Sequence, residues 1–303
     1  MSTETSTQWI IGPQNTKFFT RLYLAPAPKA VIVFVHGFCD HSSRYIEWHT
    51  RFADAGYSVF TWDQRGFGRT AQDREEKSPG TAYSKQSWAT EMQDLNWAIG
   101  RAMYSVPGAP VFIMGQSMGG GEVLGFGTEG ETSAYAPTRD ALAGVIATSP
   151  IVQQSTPISW FLRTVLAILA VPFPNVLFPA DLGEHNMSRD PRIAAEYVSD
   201  PLVTPKGAMR CITDMLSKGF DLQNFRWKEW PRSLPLCVIH GTEDKITSQP
   251  ASKAFFDQVD CASKTYLAVE GAYHELSNEL PDVRARVLKQ VVDFIDGNLA
   301  AKA

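Results

Sequence analysis

Residues Val111-Phe-Ile-Met-Gly-Gln-Ser117-Met-Gly-Gly-Gly121 constrain this chain more than any other stretch. A short apolar run, reading as a buried strand, enters a G-x-S-x-G turn whose small residues permit a very tight reversal into a following helix. Such a turn holds Ser117 in a strained backbone conformation, with its hydroxyl exposed at the carboxyl end of a sheet. That geometry suits a nucleophile and is costly for a serine with a merely structural role. Chance matches to the pattern are common, so the rest of the chain must decide.

The surroundings fit. Ala30-Val-Ile-Val-Phe-Val-His36-Gly37 is a run rich in β-branched residues, as in a central strand buried on both faces. Tyr57-Ser-Val-Phe-Thr-Trp-Asp63 predicts the next strand and Gln64-Arg-Gly-Phe-Gly68 its turn. Further strands are expected at 110–115, 142–148, 235–241 and 265–269, with an N-terminal hairpin at 8–12 and 17–25. Between them apolar residues step by three or four. Tyr45, Trp48, Phe52 and Ala55 predict a helix over 44–55, and Trp88, Met92, Leu95, Ile99 and Met103 one over 85–104. Leu288, Val291, Val292 and Ile295 mark a closing helix. Strands alternating with helices predict an α/β architecture, a mostly parallel eight-stranded sheet with helices on both faces.

One segment breaks the rhythm. Residues 150–225 show no clear strand, several prolines and a long apolar run over 158–178. Lying between two core strands, they predict a helical cap over the sheet's carboxyl edge, where open α/β folds bind ligands. The expected organisation is one domain in three pieces: core 1–149, cap 150–225 and core 226–303. Arg163, Pro172 and Pro174 interrupt the run, leaving it shorter than the roughly 20 residues a membrane span needs.

Composition removes other classes. Lys and Arg number 28 against 32 Asp and Glu, a net charge of −4, with no basic run, so nucleic acid is a poor partner. Cys39, Cys211, Cys237 and Cys261 lie far apart, which argues against a zinc site or a disulfide framework and for a reducing compartment. The polar start of the chain lacks the pattern of a secretory leader, so the sequon Asn186-Met-Ser188 is expected to be silent.

A serine hydroxyl needs a base, and the base needs a third group to fix its tautomer and stabilise its charge. In a fold of this kind they follow in the order Ser, Asp or Glu, His. After Ser117 the histidines are His185, within the cap, His240, ahead of any acid from a late strand, and His274, in the loop after the last strand. His274 is the expected base. The acid must come from the loop after the strand at 235–241, where Glu243 and Asp244 are both available and the aspartate, before a short turn, fits better. An oxyanion requires two backbone N–H donors. Met118, directly after the nucleophile, is one candidate, and Phe38, in the loop after the strand at 30–35, the other.

His36-Gly-Phe-Cys-Asp-His41-Ser-Ser-Arg44-Tyr45, Asp63-Gln-Arg-Gly-Phe-Gly68, Gly115-Gln-Ser-Met-Gly-Gly120, Ser199-Asp-Pro-Leu202 and Glu270-Gly-Ala-Tyr-His274 together resemble the monoacylglycerol lipases, serine hydrolases of the α/β-hydrolase superfamily. The likeness runs from about residue 8 to 298 and, through the glycines at 120 and 121, looks closest to fungal members. It implies a triad of Ser117, Asp244 and His274, a lipophilic cap, and a narrow polar pocket for a glycerol headgroup built from Asp40, His41, Arg44 and Tyr197. Two departures stand out: Cys39 replaces a glycine frequent in the oxyanion loop, and Asp40 replaces a glutamate. The pocket cysteine of mammalian members has no counterpart in Lys245-Ile-Thr-Ser248.

The cap's Trp160, Phe161, Leu166, Leu169, Phe173 and Leu177 are expected to line an acyl tunnel or lie in a membrane surface, unless they pack as the cap's own core. Asp40 and Ser42, at a helix start, could equally serve as caps. The expectation is a serine esterase acting on monoacylglycerol through an acyl-enzyme, with no metal or organic cofactor. It would be cytoplasmic and held peripherally at lipid droplets or the endoplasmic reticulum membrane. Its rivals are a lysophospholipase or broad carboxylesterase, a non-catalytic lipid-binding protein, and a membrane-anchored scaffold.

Overall fold

The computed structural model describes residues 4–301, apart from the side chain of Trp160. The chain opens with a hairpin, β1 (Glu4–Ile11) and β2 (Lys17–Leu24), then β3 (Ala30–Val35), α1 (Ile46–Asp54), β4 (Tyr57–Trp62), α2 (Gly68–Gln72) and α3 (Trp88–Ser105). Next come β5 (Val111–Gln116), α4 (Met118–Gly127), α5 (Ala136–Asp140) and β6 (Gly144–Thr148). A long segment follows, with α6 (Trp160–Leu169), β7 (Leu177–Pro179), α7 (Pro191–Ser199), β8 (Lys206–Ala208) and α8 (Met209–Asn224). The chain closes with β9 (Leu236–Gly241), α9 (Gln249–Gln258), β10 (Lys264–Val269) and α10 (Pro281–Ala300).

Eight strands form one sheet in the order β1-β2-β4-β3-β5-β6-β9-β10. The β1–β2 and β2–β4 pairs are antiparallel and the others parallel. Alternate residues of each central strand feed two apolar layers. Val31, Val33 and Val35 of β3 and Ile113 of β5 pack with Met92, Leu95 and Ile99 of α3 and Val123 and Leu124 of α4. Ile32 and Phe34 of β3 and Phe112 and Met114 of β5 pack with Trp48 and Phe52 of α1 and Val287, Val291 and Ile295 of α10. Burial on both faces is why these strands read as continuous apolar runs rather than alternating ones.

Three local readings need correction. The segment between β6 and β9 does contain strands: β7 and β8 pair antiparallel, Leu177 opposite Ala208. They were invisible because each is three residues long and they carry Pro179 and Gly207, which sequence patterns count as breakers. The helix expected from residue 44 begins as a short 3-10 turn, Ser42–Tyr45, before α1. Ser42 does not cap it, because its N–H and hydroxyl both donate to Asp63 Oδ1, at 2.9 and 2.5 Å.

Candidate active site

The carboxyl ends of β3, β5, β9 and β10 open on the same edge of the sheet, and the loops leaving them carry Phe38, Ser117, Asp244 and His274. β5 lies between β3 and β6, so Ser117 stands near the middle of that edge.

Ser117 has φ 58° and ψ −114° and caps the amino end of α4. A side-chain-bearing residue in that region is strained. Its backbone is pinned by Ser117 N–H donating to Thr148 O (3.0 Å) and by its carbonyl accepting from Gly121 and Ile151 (both 3.0 Å). The flanking glycines are steric necessities. A Cβ on Gly115 would lie 2.1 Å from Gly119 O, and one on Gly119 would lie 2.3 Å from Val35 O. Gly37 lets the loop after β3 approach until a Cβ there would be 3.2 Å from Ser117 Cβ.

His274 Nδ1 lies 2.7 Å from Asp244 Oδ2, and both side chains are buried. Asp244 Oδ1 accepts from the N–H groups of Ile246 (2.8 Å) and Thr247 (2.9 Å), and Oδ2 also accepts the Thr247 hydroxyl at 2.8 Å. Burial pushes this carboxyl up, but the charge and hydrogen bond of His274, with a hydrogen bond from His240, hold it well below the usual carboxylate range. For His274 burial disfavours the charged ring, and Asp244 more than offsets it, so its pKa lies above the ordinary histidine value. Glu243, the alternative acid, is exposed.

The loop holding His274 is fixed from both sides. Gln116 Nε2 donates to His274 O at 2.9 Å, while Thr148 Oγ1 donates to Gln116 Oε1 at 2.6 Å. From the segment between β6 and β9, Met187 O accepts Glu275 N–H at 2.7 Å and Asn186 O accepts His274 N–H at 3.4 Å.

Ser117 and His274 share the wall of a small cavity with Phe38, Asp40, Arg44, Tyr45, Tyr197 and Glu275. Arg44 donates two bonds of 2.8 Å to Glu275 and one of 3.1 Å to Asp40, and its guanidinium lies 5.1 Å from the Tyr197 ring centre. Tyr45 donates to Asp40 Oδ2 at 2.5 Å. Burial disfavours every charge here. Glu275 and Asp40 nonetheless hold Arg44 charged well above its usual range, and Arg44 keeps Asp40 below its own. The Tyr197 hydroxyl is buried without a hydrogen-bond partner among the described residues.

Of the four residues expected around a polar headgroup, Asp40, Arg44 and Tyr197 meet here and His41 does not. His41 Nε2 instead lies 2.9 Å from Asp200 Oδ2, so the pair ties α7's end to the loop after β3. Glu275 and Tyr45 were not singled out for the pocket, although both sit within quoted motifs or beside them.

Ser117, Phe38 and Leu182 also line a second cavity of about 160 Å³, with Ile151, Met215, Ile246, Asp181 and Lys245. The expected tunnel residues are not part of that wall. Phe161, Leu169, Phe173 and Leu177 are instead 65, 40, 56 and 43% exposed, and Leu166 is half-buried. The Trp160 side chain lies outside the described residues. The apolar run over 158–178 marked these residues as hydrophobic but could not say which way they point.

Phe38 lines both cavities beside Ser117 and Met118 follows it as the first residue of α4, and among the described residues no hydrogen bond engages either backbone N–H. Cys39, between Phe38 and Asp40, has φ 54°, the left-handed region that glycine occupies freely, and its thiol points to Lys206 O at 3.3 Å. Burial pushes that thiol up to about 12, so it is inert at neutral pH.

Comparison with known proteins agrees with this picture. A provisionally named monoglyceride lipase of Schizosaccharomyces pombe is 34% identical over 254 residues, 83% of this chain. The chain spans 63% of that relative's length. A monoacylglycerol lipase of Mycolicibacterium smegmatis is 29% identical over 278 residues, 90% of each chain. The crystal structure of a soluble variant of monoglyceride lipase from Saccharomyces cerevisiae superposes with a TM-score of 0.84 over 98% of this chain and 95% of that one, at 22% identity, which shows a common α/β-hydrolase fold. Residues 26–281 match the Hydrolase_4 pattern, described as serine aminopeptidase, S33, and the chain belongs to that family.

Proposed function

We propose that this chain is a serine esterase that hydrolyses monoacylglycerol to glycerol and a free fatty acid. Ser117 Oγ attacks the ester carbonyl carbon as His274 Nε2 takes the hydroxyl proton, and the N–H groups of Phe38 and Met118 receive the developing oxyanion. Collapse of the tetrahedral species breaks the bond to the glycerol oxygen, which leaves with the proton from His274. Water, deprotonated by His274, then attacks the acyl-Ser117 ester, and the fatty acid departs as the proton returns to Ser117. Asp244 holds the Nδ1–H tautomer and offsets the imidazolium charge.

The observation that carries this reading is the difference between the two cavities at Ser117. A small pocket of Asp40, Arg44, Tyr197 and Glu275, suited to hydroxyls, meets at Ser117 a second cavity in which Ile151, Leu182, Met215 and Ile246 stand beside Asp181 and Lys245. The relatives named as monoacylglycerol or monoglyceride lipases support the substrate class. The exposed apolar residues of α6 and the turn after it support peripheral contact with a lipid surface. Among the described residues no helix is long and apolar enough to cross a membrane.

The test is turnover of monoolein against diolein, lysophosphatidylcholine, a p-nitrophenyl ester and an aminoacyl arylamide, with Ser117→Ala as control. Monoolein is expected to be strongly preferred and the variant nearly inactive. Equal turnover of the lysophospholipid would defeat the substrate assignment. Preference for the arylamide would replace it with the peptidase chemistry in the family's description.

A further inference from the structure

Asp244 is contacted by a second imidazole that the mechanism above does not use. His240, in β9, is wholly buried, and its Nε2 lies 3.2 Å from Asp244 Oδ2, the same oxygen that takes His274 Nδ1. Nε2 is also 3.1 Å from the Thr247 carbonyl and 3.3 Å from the Thr247 hydroxyl. Its other nitrogen, Nδ1, is 2.7 Å from Ser252 Oγ on α9.

These neighbours determine the tautomer. A carboxylate oxygen and a main-chain carbonyl can only accept, and both face Nε2. A bare lone pair there would be repelled by two others in a dry site, so Nε2 must carry a proton. Nδ1 faces a hydroxyl, which can donate or accept. The Nε2–H therefore donates to the Thr247 carbonyl at 3.1 Å with Asp244 Oδ2 beside it at 3.2 Å, and Ser252 holds the ring from behind.

We propose that His240 is a positioning residue for the triad: its Nε2–H, lying between the Thr247 carbonyl and Asp244 Oδ2, ties the loop that carries the Asp244 carboxylate in line with His274 and limits how strongly that carboxylate pulls on the His274 proton. The inference rests on the triad assignment. Asp244 is shut off from water and so depends on protein donors for its charge. Two of these come from the loop backbone onto Oδ1, whereas Oδ2 has the Thr247 hydroxyl and the two imidazoles. The hydroxyl is also within 3.0 Å of Ser149 O, which competes for its single proton. Around His240 the titratable groups are Asp244, His274 beyond it, and the Tyr266 phenol of β10, 3.4 Å from Ser252 Oγ. The loop after β6 contributes the Ser149 carbonyl, through the Thr247 hydroxyl, and α9 the Ser252 hydroxyl, neither of which titrates.

The sign follows from the electrostatics. Removing the Nε2–H donor leaves Asp244 more basic, which raises the affinity of His274 for its second proton. Glutamine can place an amide N–H near the Nε2 position, whereas asparagine reaches only the Nδ1 position. The experiment titrates the ring resonances of His274 by NMR and measures the pH profile of kcat/KM on a p-nitrophenyl ester, in wild type, His240→Gln and His240→Asn. His240→Asn is expected to raise the His274 midpoint by about 0.5 unit or more and to lower kcat about 10-fold with KM little changed. His240→Gln should stay close to wild type in both. Midpoints unchanged in both variants would overturn the proposal and leave His240 a packing residue.

Two further readouts keep the test decisive. Should either variant not fold, a long-range proton–nitrogen spectrum of the wild-type protein shows which ring nitrogen of His240 is protonated. Nε2–H supports the proposal, and a ring protonated on Nδ1 alone overturns it. A wild-type protein inactive on every ester would instead defeat the triad reading, while the NMR titration still decides whether His240 acts on His274 through Asp244.

Discussion

The amide of Gln116, the residue before Ser117, donates to the backbone carbonyl of His274 at 2.9 Å. The nucleophile's strand therefore supports the base directly, across 158 residues of sequence. Gln116→Ala would leave a buried carbonyl without that donor, and the Thr148 hydroxyl with only Gly115 O, at 3.1 Å, as acceptor. An unsatisfied buried group of this kind costs about 1–3 kcal/mol, so the urea midpoint should fall. kcat should drop with it, KM moving less, because the loop carrying His274 loses its support. An unchanged kcat would show that the loop is held by Met187 and Asn186 alone.

The pH response has a definite sign. Neutral His274 is the base, and its pKa is raised, so kcat/KM should fall on the acid side with a midpoint above 6.5. A raised imidazole contributes stability fully below the unfolded value, and that contribution is lost as pH rises through the folded value. Asp244, held low, behaves in the opposite way. Its contribution is present above the ordinary value of 3.8 and is lost as pH falls below it. Both contributions rest on the Asp244–His274 pair, so urea denaturation at a series of pH values should show both losses in wild type and neither in Asp244→Asn.

Glu275→Gln tests the buried ion pair with Arg44. Removing one partner leaves a desolvated guanidinium facing Asp40 alone, and breaking such pairs costs about 3–5 kcal/mol. A large loss of unfolding free energy is expected. Monoolein turnover should fall further than that of a p-nitrophenyl ester, whose leaving group has no hydroxyls to place beside Arg44. Equal losses on both substrates would remove the pocket from the headgroup assignment.

Gly119→Ala is expected to disrupt the nucleophile turn. The added methyl would meet main-chain oxygens of Val35 and His36 at 2.3 and 2.6 Å, so β3 or α4 must move. Overpacking against backbone should cost about 3 kcal/mol and abolish labelling of Ser117 by a fluorophosphonate probe. Full labelling at wild-type stability would contradict the tight approach of α4 to β3.

Leu169→Asp places a charge on the exposed apolar face of α6. Sedimentation with liposomes should show weaker binding, while hydrolysis of a short soluble ester changes little. Binding as strong as wild type would move the lipid contact elsewhere.

The succession of the eight strands of the main sheet, the turn at Ser117 and the candidate triad were legible in the sequence, because each follows from short-range chemistry. β-branched runs report burial on both faces, glycines around Ser117 report a turn that excludes side chains, and the order serine, acid, histidine follows the order of strand ends. Contacts made across the fold were not legible. The sequence could not place His41 on Asp200, Arg44 on Glu275 or His240 behind Asp244, because pairing of distant side chains depends on where separate loops meet. Nor could the apolar run over 158–178 tell whether α6 turns its hydrophobic residues toward Ser117 or toward solvent, since composition records that apolar surface exists and only tertiary packing decides what lies against it.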